Sequence, residues 1–170
     1  GCPNTRRSTT CYIIQFMNGP LLTVSRRQKN VTLSSTEAEY CAFTDIIKDV
    51  KWLKKVAKAL NIKFPKPAVI NNDNQTAENL AQGVAKLNRT KHIDTRYHFI
   101  KECIALGIIK LLHIPREKNL ADLFTHPVGV AIHKRMRKKI LNLEEVINNS
   151  QIDETIVEEV LTLMVNTKIA

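Results

Sequence analysis

The chain has 170 residues, enough for one domain that buries a core without disulfides or metals as props. At 44% hydrophobic and 25% charged residues it is not a disordered polyelectrolyte, and no run approaches the about eighteen consecutive apolar residues of a membrane span. Twenty-six Lys and Arg against sixteen Asp and Glu leave a net charge of +10, a surface that favours polyanions. The start of the chain lacks the basic flank and apolar core of a signal peptide. Cys2, Cys11, Cys41 and Cys103 share no CxxC spacing, so free thiols of an intracellular protein, cytoplasmic or nuclear, are expected.

The opening GCPNTRRST is polar and turn-rich and leads into TCYIIQFM, Asn18-Gly19 and PLLTVS. Asn-Gly between two β-prone runs predicts a hairpin. The basic cluster Arg26, Arg27 and Lys29 follows, and VTLSSTEAEY then opens the longest helical pattern, with Thr36 and Glu39 at capping-box spacing. Phe43, Ile46, Val50, Leu53, Ala57 and Leu60 recur at steps of three and four and define one buried face. Four residues before Phe43 the same stripe lands on Glu39, while Glu37, about 200° around the helix, faces elsewhere. A carboxylate aimed inward needs a partner such as a cation; a Glu that merely stabilises the helix N-terminus is the competing reading.

After NIKFPK, the run Pro67–Asn71 reads as a short strand, and Asp73 follows at a strand-to-helix junction with Asn74 and Gln75, before the short helix TAENLAQG. Strand ends are where open α/β sheets build sites, although an Asp before a helix also serves as an N-cap. Lys86 to Lys91, with Arg89, is a basic linker. HIDTRYHFIKECIALG is a helix with Ile93, Tyr97, Ile100 and Ile104 on one face and Gly107 at its end. IIKLLHI is a buried strand stopped by Pro115, and Asn119 caps a helix LADLFT with Asp122 in its first turn. Beyond Pro127, VGVAIHKRMRKKILNL turns Ile132, Met136, Ile140 and Leu143 inward and crowds His133, Lys134, Arg135, Arg137, Lys138 and Lys139 on the rest of its surface.

From Glu144 onward the chain carries net −5, so the first 143 residues carry +15. This charge step divides a domain, 1–143, from an acidic tail, 144–170. The tail is expected to be helical, because EEVLTLMV follows a capping Asp153; a strand at Val160–Asn166, VLTLMVN, is the alternative.

The order is hairpin, helix, strand, helix, helix, strand, helix, with Glu39, Asp73 and Asp122 at or near element ends. Converging at one sheet edge, three such carboxylates could hold Mg²⁺, which takes oxygen ligands, and on a basic surface that points to phosphodiester chemistry. His92, Asp94 and His98 do not share one helical face as an i, i+4 His pair would, and read as hydrogen-bonding groups rather than a zinc site.

The strings TRRST, VTLSSTEAEY, DNQTA, NRTKHIDTRYHFIKE and HIPREKNLADLFTHPV, with Trp52-Leu53-Lys54-Lys55, closely resemble the ribonuclease H domain at the C-terminal end of copia-type retrotransposon polyproteins, from Gly1 to about Leu143. The resemblance implies an α/β, ribonuclease H-like mixed sheet flanked by helices, with strand order 3-2-1-4-5. It also implies endonucleolytic cutting of RNA in RNA–DNA hybrids with two Mg²⁺ (or Mn²⁺) ions about 4 Å apart. Carried over by motif, Glu39 of AEY, Asp73 of DNQ and Asp122 of LAD are the catalytic acids and metal ligands. Arg7, Ser35, Asn74, Gln75, Arg89 and Lys91, with the basic clusters, are expected to touch the nucleic acid, since a hybrid is read largely through backbone and 2′-hydroxyls. The implied partners are the hybrid and an upstream reverse transcriptase region, with no membrane. His113 precedes a loop in which cellular ribonucleases H often carry a catalytic histidine, but Pro115 to Asn119 holds none, and His113 is given no proton-transfer role.

The departure from the family lies at the beginning. The family's first strand, central in its sheet and bearing the first Asp ligand, precedes GCPNTRRST, and no Asp or Glu occurs before Glu37. The chain is therefore expected to be N-terminally truncated and to lack its central strand unless the tail fills the place. Any ion should bind at most weakly, and cleavage should be weak or absent. The alternative is a non-catalytic remnant or a co-opted nucleic-acid-binding protein.

Overall fold

The computed structural model describes residues 7–17, 19–29, 31–32, 34–75, 79, 83, 91–125, 128–142 and 164–169, with the backbone alone at 91–93 and 164–169. The expected hairpin is formed by β1 (Thr9–Phe16) and β2 (Gly19–Arg27), which run antiparallel. Phe16 pairs with Gly19, so the turn begins at Met17, one position earlier than a turn centred on Asn18-Gly19, and Met17 takes φ +51°. A positive φ at the first loop position is what a tight hairpin requires. Between Ile14 and Gln15 the register slips past Leu21 and sets Pro20 opposite Gln15. Pro20 lacks an N–H and is tolerated because β2 is an edge strand.

Helix α1 (Ser35–Ala59) is capped by Ser34, whose Oγ accepts the Glu37 N–H at 3.1 Å. Ser34 has the extended φ and ψ of a cap, −146° and 157°, so the capping pair is Ser34 with Glu37 rather than Thr36 with Glu39. The apolar stripe is buried from Phe43 to Ala57, whereas Leu60, just past the last turn, is exposed. Glu37 faces away from that stripe yet is also buried.

Strands β3 (Ala68–Asn72) and β4 (Ile109–His113) pair in parallel, and α2 (Lys91–Ala105), which lies between them in the chain, packs on α1. Gly107 takes φ +61°, the left-handed position that commonly closes a helix. LADLFT forms a short 3-10 helix, Leu120–Phe124, and Asn119 caps it by accepting the Ala121 N–H at 3.1 Å. α3 (Val130–Ile140) buries Met136 and Ile140 but leaves Ile132 44% exposed: it docks through its C-terminal half, and Ile132 lies a turn short of that contact. Of TAENLAQG, Asn79, which is helical, and Gly83, at φ +70°, are described; the rest of that reading, and that of Leu143 as a core residue, lie outside the described residues.

The sheet order is β2-β1-β5-β3-β4, where β5 is Met164–Ile169 from the tail. β5 runs antiparallel to β1, from Thr10↔Ile169 to Gln15↔Met164, and parallel to β3, from Val69↔Met164 to Asn72↔Thr167. The central place expected to be missing is thus occupied, and residues 164–169 are a strand where a helix was expected. The reason is hydrogen bonding: β1 and β3 each present a row of N–H and C=O groups that an extended segment satisfies and a helix cannot. Each buried group left unpaired would cost roughly 1–3 kcal/mol. The readings that fall on 143–163 lie outside the described residues.

One face of this mixed α/β sheet forms the main core. Tyr12, Ile14, Ile70 and Leu111 pack beneath Phe43, Ile46, Ile47 and Val50 of α1 and Tyr97 and Ile100 of α2. On the other face Cys11 and Ile13 are fully buried, and the 3-10 helix packs against β1 and β5. There the Phe124 carbonyl accepts from Cys11 Sγ at 3.2 Å and Ser25 Oγ at 3.3 Å. Coverage of both faces explains why TTCYIIQF reads as a nearly continuous apolar run instead of alternating. Among the described residues no helix is long and apolar enough to cross a membrane.

Candidate functional site

The C-terminal ends of the parallel strands β3 and β4 share one edge of the sheet. At that edge the chain leaves β3 through Asn72, 2% exposed, whose Oδ1 accepts the Asn74 N–H at 2.7 Å. This side-chain turn fixes the path of Asp73 and Asn74. Asn74 then donates Nδ2 to Glu39 Oε1, on the second turn of α1. Asn119, fully buried, donates its own Nδ2 to Asp73 Oδ1 at 3.1 Å while its Oδ1 caps the 3-10 helix that carries Asp122. The Arg116 Nε lies 3.4 Å from Asp122 Oδ2. Asparagines therefore tie Glu39 and Asp73 into this edge, and the 3-10 helix that Asn119 caps carries Asp122, which faces Arg116; Glu39 and Asp122 are buried and Asp73 is half-buried.

Burying carboxylates at this edge is costly unless each ion is paired or hydrogen-bonded. The donors found are the amides of Asn74 and Asn119 and the guanidinium of Arg116. Among the described residues no three His, Cys, Asp or Glu side chains are grouped so as to hold a metal ion. The carboxylates are the right kind of ligand for Mg²⁺, which needs near-octahedral oxygens at about 2.1 Å. The arrangement described does not form such a cage, and an amide or guanidinium donor stands against one oxygen of each carboxylate.

The other residues singled out from the sequence are spread around this edge. Ser35 is the exposed first residue of α1, Gln75 is exposed beside Asn74, and Arg7 is exposed ahead of β1. Lys91 begins α2 with its side chain outside the description, and Arg89 lies outside the described residues. His98 Nε2 sits 3.4 Å from Asp94 Oδ1 on the exposed side of α2, and His113 is exposed at the end of β4. Sequence reasoning missed Asn72, Arg116 and the second role of Asn119. Its capping position was legible, but the contact with Asp73 joins residues from two strand ends and has no local signal.

Over 125 residues the chain is 39% identical to the retrovirus-related Pol polyprotein from transposon TNT 1-94 of Nicotiana tabacum, covering 74% of this chain and 9% of that polyprotein. It is 32% identical over 133 residues to each of the retrovirus-related Pol polyproteins from transposons RE1 and RE2 of Arabidopsis thaliana, covering 78% of this chain and 9% of each. The chain therefore spans about 9% of the length of these curated relatives. No family model and no solved structure matches it.

Proposed function

Because this chain belongs to the retrovirus-related Pol polyproteins of copia-type transposons, we propose that it is a ribonuclease H-like module that binds RNA–DNA hybrids and cleaves them weakly or not at all. One observation supports the reading: at the sheet edge Asn74 holds Glu39, Asn119 holds Asp73, and the 3-10 helix that Asn119 caps carries Asp122. Strand ends are where open α/β sheets build sites, and three acids brought to one such edge of a basic domain suit phosphodiester chemistry. The weakness follows from the same edge. Mg²⁺ or Mn²⁺ would have to displace amide and guanidinium donors, and MVNTKI, the strand at the sheet centre, contributes no carboxylate. The ion is then bound at most weakly. Exposed Ser35, Gln75 and Arg7 suit contacts to sugar and phosphate. In the polyprotein the partner beside this module would be the reverse transcriptase region.

The test uses a labelled RNA–DNA hybrid, with binding followed by fluorescence anisotropy in EDTA and cleavage followed with added Mg²⁺ or Mn²⁺. Hybrid binding with little cleavage is expected, and Asp73→Asn should leave the binding in place. Robust metal-dependent cleavage that Asp73→Asn abolishes would overturn the cleavage-deficient reading in favour of an active nuclease. A chain that fails to bind hybrid at all would sink the function itself.

A further inference from the structure

A second polar concavity lies between β2, α1 and α2. It has a volume of about 390 Å³, and among the described residues Arg26, Arg27, Lys29, Lys48 and Arg96 line it, with Asp45 as the one carboxylate. That size falls within the roughly 300–1,000 Å³ of small-ligand sites. None of Glu39, Asp73 and Asp122 lines it. Cys41, Asp45 and Lys48 lie about 180–240° around α1 from Glu39, at about 100° per residue, so the cleft opens on the opposite side of the helix from the carboxylate edge.

Its floor is fixed before any ligand arrives. Gln28, 9% exposed, donates Nε2 to Thr10 Oγ1 at 2.9 Å and to the Ala38 carbonyl at 2.8 Å. Two of the arginines are held as well: Arg26 Nη2 lies 2.8 Å from Asp45 Oδ2, and Arg96 donates to Cys41 Sγ. Burial pushes the Cys41 thiol above its ordinary pKa against the opposing pull of Arg96. The sulfur is therefore neutral, and the charge of Arg96 is not cancelled by it. Arg27, Lys29 and Lys48 are exposed, and among the described residues no carboxylate pairs with them. Several like charges around one concave surface create a focused positive potential, which Asp45 in the lining and Glu37 and Asp49 near it offset only in part. Guanidinium forks and ammonium groups together match phosphate oxygens.

We propose that this cleft is a phosphate-binding site, separate from the carboxylate edge, that takes backbone phosphates of nucleic acid. The proposal deepens the hybrid-binding reading and rests on it for the source of the phosphate. It adds Lys48 and Arg96, from two different helices, to the basic cluster at the end of β2. It also predicts binding that needs no metal.

The experiment compares Lys29→Ala/Lys48→Ala with a control of equal charge change, Lys54→Ala/Lys55→Ala, all four positions being exposed. Anisotropy with labelled hybrid is measured in EDTA across a salt series, and tripolyphosphate binding is measured by calorimetry. The cleft variant should lose roughly tenfold in affinity at low salt, with the salt dependence shallower by about two phosphates. The control should stay close to wild type. Equal losses in the two variants would overturn the proposal, because the charge would then act only as a diffuse field. Hybrid binding unchanged in the cleft variant would refute the cleft and leave the hybrid reading standing. Tripolyphosphate bound through Lys29 and Lys48 by a wild-type chain that ignores hybrid would refute the nucleic-acid source and leave a free-phosphate site.

Discussion

A chain ending at Leu163, without β5, should not fold as a cooperative unit. β5 meets β1 at six register positions and β3 at four. About half of the backbone groups along those stretches point into the slot, so roughly ten N–H and C=O groups lose their partners with β5. At roughly 1–3 kcal/mol for each buried orphan, the loss is on the order of 10 kcal/mol or more. That matches the about 5–15 kcal/mol of a whole domain. A gentler perturbation keeps the chain length: Asn166→Pro, opposite both Ile13 and Asn71, removes a ladder N–H from a strand with neighbours on both sides and should cost about 3 kcal/mol. Urea denaturation followed by far-UV circular dichroism reads both effects. Amide exchange should be slow across Thr10–Gln15 in the full chain and fast in the shortened one. A shortened chain with a cooperative transition at the wild-type midpoint, or Asn166→Pro with no shift, would refute the pairing of β5 between β1 and β3.

Asn119→Ala removes both the cap of the 3-10 helix and the donor to Asp73, and should cost about 1.5–3 kcal/mol in urea denaturation; unchanged stability would show that Asn119 bridges nothing. Met136→Ala should cost about 2–4 kcal/mol and Ile132→Ala no more than about 0.5, because only Met136 is buried; equal losses would mean that α3 docks through a different face. Stability should also fall in alkali. Burial raises the pKa values of Cys11, Cys41 and Cys103 above 9.0, and burial followed by the hydrogen bond to Asp49 raises that of Tyr12 above 10.0. Above pH 9 the unfolded chain releases protons that the folded chain keeps, so stabilisation present below that pH is lost as pH rises through the folded pKa values. Urea midpoints between pH 8 and 10.5 check this, and a flat or rising midpoint would count against it.

Local patterns carried much of the fold. The α1 stripe, the hairpin, the strands around Ile70 and Leu111 and the Asn119 cap each depend on neighbours within a few residues, and helical or strand periodicity shows them directly. Errors of one or two positions arose where several residues compete for one role. Ser34 and Thr36 are both good caps, and backbone geometry chose Ser34. The sequence Met-Asn-Gly offers more than one two-residue turn, and pairing of Phe16 with Gly19 moved the turn back by one. The helical phase aimed Glu39 inward correctly, but it could not supply Asn74 as the partner, because that contact depends on how β3 ends beneath α1. β5 was the hardest case. MVNTKI has three polar residues in six, whereas a strand at the centre of a sheet is expected to be mostly apolar, and the preceding EEVLT offers helical spacing. What selects the strand is not local: β1 and AVINN of β3 are buried and would each be left with an open row of hydrogen-bonding groups. The match that closes both rows pairs Cys11 with Lys168, near opposite ends of the chain.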